Sequence, residues 1–258
     1  MVRLRAVTLA LTAISCAMAV TPAVAGTTVF SDSTFNNADY TLGAFKDAAV
    51  TVNSHGQTLS GGNPGAGIQG TVSSIGLNPK GVLFTALNNG FVYDPTVSGA
   101  VTSLDFSLDR FANPTNGGTP TTVGSYSLRL LAQQDGTLYQ ATFVFGPFGA
   151  LGGTWHGLTQ NGISASDFST LDATNFTGSG VFGGLNFSGH AITFGFAMRG
   201  GGTPSLLDQT NDLRADNFRL AVKSASGGVP EPASWAMMIF GLGAVGGAMR
   251  SRRRTVVC

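Results

Sequence analysis

Cysteine is almost missing: the 258 residues hold two, Cys16 and Cys258, one near each end. The long middle of the chain therefore has no disulfide of its own, and its stability has to come from packing. Glutamate is rarer still, with Glu231 the one example. From residue 26 to 229 the only acids are twelve aspartates, set against three lysines and five arginines, so this stretch carries −4 while the whole chain is formally +1. A mildly acidic, lysine-poor surface offers no basic stripe for phosphates and excludes a nucleic-acid partner. A helical apolar period is missing from the same stretch.

What is present at the amino end is an address. Arg3 and Arg5 form a positive n-region, residues 6–20 an apolar h-region, and Ala23 and Ala25 a small-x-small site before Gly26. Together they read as a signal peptide over residues 1–25, cut by signal peptidase so that the mature chain begins at Gly26. Cys16 after a small residue offers a rival, lipid-modified start, although Ala13 stands where a lipoprotein box has Leu.

The carboxyl end, residues 227–258, has three parts: Pro230-Glu231-Pro232 followed by Trp235, an uncharged stretch over residues 233–249, and a basic cluster of Arg250, Arg252, Arg253 and Arg254. As a helix the stretch spans roughly 25 Å, close to the hydrocarbon thickness of a bilayer. Carrying an arginine through lipid costs at least ~2.5 kcal/mol on insertion scales, so the basic end stays in the cytoplasm as a stop-transfer element. This tail resembles the PEP-CTERM sorting domain in its PEPxxWA variant, which residues 230–236 match at every fixed position. The resemblance implies export by a Gram-negative bacterium, a stay in the inner membrane, and processing at Pro230, Glu231, Pro232 and Trp235 by an exosortase, a membrane enzyme similar in role to sortase. It also implies a final place at the cell surface or in the extracellular matrix, beside exopolysaccharide. The residues after Arg254 have no counterpart in that pattern.

Between the addresses, residues 26–226 suffice for one large β domain. Gly and Pro make up 47 of 258 residues, below the roughly 25–30% of disordered chains. Alternation with the period of a half-buried strand is clear in Leu104, Phe106 and Leu108, in Tyr126 to Ala132, in Tyr139 to Phe145, in Ile192 to Met198 and in Phe218 to Val222. Asp135-Gly136 between two such runs predicts a hairpin. Weaker strands are expected at residues 27–31, 49–53, 70–74, 81–87, 90–94 and 153–158, a short helix at 164–171, and exposed loops at 113–122 and 200–205. About a dozen short strands between Asn, Gly, Pro and Ser turns predict an all-β, antiparallel sandwich.

Arg214-Ala215-Asp216-Asn217-Phe218-Arg219-Leu220 resembles the closing strand of jelly-roll carbohydrate-binding modules and concanavalin-like lectin domains, and Gly61-Gly62-Asn63-Pro64-Gly65 adds to the likeness. The resemblance implies a jelly roll whose first and last strands lie together and share a structural calcium, which would bring Asp32 and Asp216 to one ion. The oxygen-rich run of Asp208, Asn211, Asp212, Asp216 and Asn217 suits such a cation, and suits ordinary turn formation equally. No other cofactor is expected. Sugar rings stack on exposed aromatics, for which Trp155 and Tyr93 are the candidates, the alternative being burial in the core.

Catalysis has little to stand on. Without glutamate there is no Glu-x-Asp-x-x-Glu strand; Asp105 and Asp109 alternate along one strand as a solvated face would. His55, His156 and His190 are too scattered for a local metal motif, and no Gly-x-Ser-x-Gly elbow occurs. The sequence thus reads as an exosortase-processed, non-catalytic surface or matrix protein associating with exopolysaccharide, with a tethered polysaccharide hydrolase as the alternative.

Overall fold

Strands need partners for their backbone groups and a partner layer for their apolar face, and two sheets packed face to face supply both. The computed structural model describes residues 26–75, 80–122, 125–143, 146–147, 152–202 and 208–225. The signal peptide, the sorting motif and the apolar stretch expected at 233–249 lie outside the described residues. Among the described residues no helix is long and apolar enough to cross a membrane.

The first sheet runs in the order β11 (His156–Ile163), β6 (Val101–Asn116), β14 (Asp208–Ser224), β4 (Gly65–Ile75) and β3 (Val50–Gly62). Onto it are added β1 (Gly26–Asp32), beside the far half of β14, and β7 (Thr119–Pro120), beside β6. The second sheet runs β12 (Ser169–Thr170), β9 (Thr137–Thr142), β8 (Ser125–Gln134), β13 (Ile192–Gly202), β5 (Lys80–Tyr93) and β2 (Tyr40–Lys46), with β10 (Gly146–Pro147) against β8. All the pairings are antiparallel, as expected for the all-β sandwich.

The inward sets are those the alternation marks: Leu104, Phe106 and Leu108 on β6, Leu128 and Leu130 on β8, Phe194 and Phe196 on β13, Phe218 and Leu220 on β14, all buried. Phe218 is the hub, with ring centroids 5.2, 5.7 and 5.8 Å from Phe91, Phe106 and Phe196. The chain ends of the sandwich pair directly, Gly26 opposite Ser224 and Asp32 opposite Phe218. A second apolar cluster of Leu83, Leu87, Leu131, Leu171, Phe176 and Ala197 sits on the outer face of the second sheet. There the buried Arg129 donates to Gln140 Oε1 and, at 2.8 Å, to the Phe176 carbonyl, tying the covering segment down.

Four expectations change, the first being the loop expected at 200–205, which is strand β13 as far as Gly202. The helix expected at 164–171 is a single 3-10 turn, Ala165–Asp167, followed by β12. Its Asp167 carboxylate takes the Ser164 N–H and hydroxyl, both at 2.8 Å, and Phe168 then enters the core, so the turn does not propagate. The loop expected at 113–122 is mostly β6 and β7, joined by Gly117 and Gly118 at φ 56° and 80°. The two strands expected at 81–87 and 90–94 are one strand, β5, with a register break against β13 where Asn88 accepts the Gly90 N–H at 2.9 Å.

Candidate functional site

The outward residues of the first sheet form a row that crosses its strands. On β6, Phe106, Leu108 and Ala112 point into the core and Asp105, Ser107, Asp109, Phe111 and Asn113 point out. Register places Phe111 opposite Arg214, and Arg214 opposite Gln69. Trp155, one residue before β11, completes the row with its ring centroid 5.5 Å from that of Phe111. At about 4.8 Å per strand the row from Trp155 to Gln69 covers roughly 14 Å.

Each member is fixed by its neighbour. The Arg214 guanidinium lies 5.0 Å from the Phe111 ring centroid, a cation over an aromatic face. Arg214 also donates to Asp212, from Nη2 at 2.6 Å and Nε at 3.1 Å, and Gln69 Nε2 donates to Asp212 Oδ1 at 2.7 Å. Trp155, Phe111, Arg214 and Gln69 are all partly exposed, so the face presents flat rings and a planar guanidinium to solvent beside Asn113, Asp212 and Thr71. Such a surface suits a polyol with one apolar side: rings take the CH face, and amides, carboxylates and hydroxyls take the edge.

Asp105 and Asp109 on this face, and Asp216 beneath it, are engaged by protein groups. Asp105 pairs with Lys223 at 2.6 Å and accepts the Gly162 N–H at 2.9 Å; Lys223 first, then that N–H, hold its carboxyl below the ordinary range. Asp109 Oδ2 accepts from Asn217 Nδ2 at 2.8 Å and Asn63 Nδ2 at 3.2 Å. Asp216, fully buried, accepts the backbone N–H groups of Asn63 and Asn217. Burial pushes Asp216 up; its two N–H donors oppose this, and the charges of Asp109 and Asp32 add to the rise.

The calcium expectation joined Asp32 and Asp216. Asp32 and Asp216 do come near each other, but Asp32 Oδ1 takes Thr34 N at 2.7 Å, the Thr34 hydroxyl at 2.8 Å and Phe35 N at 3.0 Å, while Oδ2 takes the Tyr40 hydroxyl at 2.9 Å. Burial raises the Asp32 carboxyl, and those donors outweigh it to leave the group below the ordinary range. Among the described residues no three His, Cys, Asp or Glu side chains gather as a metal site. Protein donors meet both carboxylates.

Tyr93 is a correction: it is 2% exposed, with its hydroxyl 2.9 and 2.8 Å from the carbonyl oxygens of Ser98 and Gly99, so it packs in the core and shows no ring face to a ligand. Trp155 is partly exposed beside Phe111. His190 meets Asp135 at 2.7 Å on the surface, His156 Nε2 lies 2.9 Å from the Thr154 hydroxyl, and His55 packs 4.7 Å from Phe84. Sequence reasoning missed Phe111 and Gln69, and named Arg214 and Asp212 only for other reasons, because strand pairing alone brings the four to Trp155.

Residues 228–254 match the PEP-CTERM protein-sorting motif. None of the curated proteins compared is similar to the chain. Among solved structures, the chain is similar to a family 11 carbohydrate-binding module from Clostridium thermocellum in complex with a β-1,3-1,4-mixed-linked tetrasaccharide, at 13% identity and TM-score 0.41, covering 76% of this chain and 96% of that one. It is also similar to TmCBM27, a carbohydrate-binding module that recognises mannan, at 11% identity and TM-score 0.33, covering 76% of this chain and 98% of that one.

Proposed function

We propose that this protein is exported, processed at its sorting motif by an exosortase, and retained at the cell surface or in the extracellular matrix, where the outer face of its first sheet binds polysaccharide. The row of Trp155, Phe111 and Arg214 carries the binding half of this reading. A partly exposed tryptophan and phenylalanine side by side, backed by an arginine that is itself fixed to Asp212, form a preorganised platform with little rotamer freedom left to lose on binding. The sorting motif at residues 228–254 supports the export half.

The test is electrophoresis of the full-length chain, in detergent, through native gels cast with mixed-linkage β-glucan, galactomannan, xylan or the exopolysaccharide of the producing strain. One of these polymers should retard the protein. Trp155→Ala should weaken that binding at least tenfold, about 1.4 kcal/mol, with an unchanged melting temperature because the ring is at the surface. A Trp155→Ala variant retarded as strongly as the parent would overturn the assignment of this face.

A further inference from the structure

A second aromatic ring stands exposed at a place the first site does not reach. Phe182 is 61% exposed, yet its backbone is held on both sides: Thr170 N donates to Val181 O at 2.9 Å, Gly183 N donates to Phe168 O at 3.2 Å, and Phe182 bridges Ser169. A ring on a backbone pinned in this way is presented to solvent with little freedom left to lose on binding. It stands at the rim of a groove of about 430 Å³ whose other walls include Phe143, Gln160, Asn161, Ser166 and Asp167.

The groove lies where the edge of the first sheet meets that of the second, and its polar wall is made by an irregularity in β11. Between Gln160 and Ile163 the strand bulges, with Gly162 at φ 72° and its N–H held by Asp105 at 2.9 Å. A bulge on an edge strand re-aims a side chain off the ladder, here Asn161, toward the groove that it lines. The side-chain amides of Gln160 and Asn161 have no hydrogen-bond partner among the described residues, which leaves two donor–acceptor pairs facing the ring. Asp167 spends Oδ2 on Ser164 and keeps Oδ1 for a further donor.

Resting on the polysaccharide reading above, we propose that this groove is a second saccharide site, taking one uncharged pyranose with its CH face on Phe182 and its hydroxyls on Asn161, Gln160 and Asp167. Six residues of extended chain separate Trp155 from Asn161, roughly 20 Å along β11. Two sites at that separation, one on a sheet face and one on an edge, let a single molecule hold two glycan chains together.

Affinity gels test this on the full-length chain in detergent, with mixed-linkage β-glucan, galactomannan and xylan as the probes. Phe182→Ala should lower affinity several-fold, remove the retardation left in Trp155→Ala, and end the ability of the parent to precipitate the polymer it binds. Phe182→Trp should restore all three, and Asn161→Ala should reproduce the loss. Melting temperatures should not move, since Phe182 is exposed. If Phe182→Ala and Asn161→Ala match the parent in both backgrounds while Trp155→Ala weakens binding, the groove is not a saccharide site and the sheet-face reading stands. If none of the polymers retards the parent, both fall.

Discussion

His55 shows how a single residue inherits its chemistry from the sheet around it. Its ring packs on Phe84 at 4.7 Å, its Nε2 is buried with no partner among the described residues, and burial lowers its pKa to about 4. An unfolded histidine takes its proton near pH 6.5, so between that pH and about 4 the unfolded chain binds a proton that the folded one refuses. The stability from this residue is therefore complete above pH 6.5 and drains away as pH falls toward 4, a loss on the order of 3 kcal/mol. Urea unfolding of the full-length chain at about pH 7 and pH 4.5 should show that loss. His55→Phe keeps a ring on Phe84 without a titrating group and should lose markedly less over the same interval. Equal losses in the two proteins would place the pH sensitivity elsewhere.

Strands and turns were legible in the sequence wherever a side-chain period or a turn dipeptide was local. The faces of β6, β8, β13 and β14 follow from simple alternation, and Asp135-Gly136 turns at φ 52° and 78° as the dipeptide requires. β2 was not legible, because Gly43 and Ala44 interrupt its apolar pattern; its identity comes from pairing with β5, where Gly43 fits close against Thr85. The site was legible only as Trp155, since Phe111 and Arg214 become neighbours through the β6–β14 register. The likeness of the glycine-rich segment at 61–65 to jelly-roll modules does not give its physical role beside Asp216. A Cβ on Gly62 would come within 2.7 Å of Asp216 Oδ2, so the missing side chain lets this turn close over the buried carboxylate. Removing the carboxylate strands the two backbone donors it accepts from, at about 1–3 kcal/mol each. Asp216→Ala should thus lower the melting temperature by the same amount in calcium and in EDTA, and the parent should melt alike in both. A calcium-dependent rise in the parent that Asp216→Ala abolishes would restore the metal site.

For the molecule as a whole, the pairing of β1 with β14 decides how folding relates to export. Gly26 lies opposite Ser224, so the point where the signal peptide is expected to leave and the point where the sorting tail begins emerge side by side from one end of the sandwich. The core is built from residues between those points, and Phe218, Leu220 and Val222 are already buried before the tail starts. Changing the tail should therefore alter where the protein goes without altering what it binds. Replacing Pro230, Glu231 and Pro232 with alanine leaves the uncharged stretch and Arg250 to Arg254 in place, so membrane insertion is kept while the recognition sequence is lost. The variant should melt and bind polysaccharide as the parent does, accumulate in the inner-membrane fraction, and keep its tail by intact mass. Release into the medium at the parental level, with the same processed mass, would show that these residues are not read by the processing enzyme.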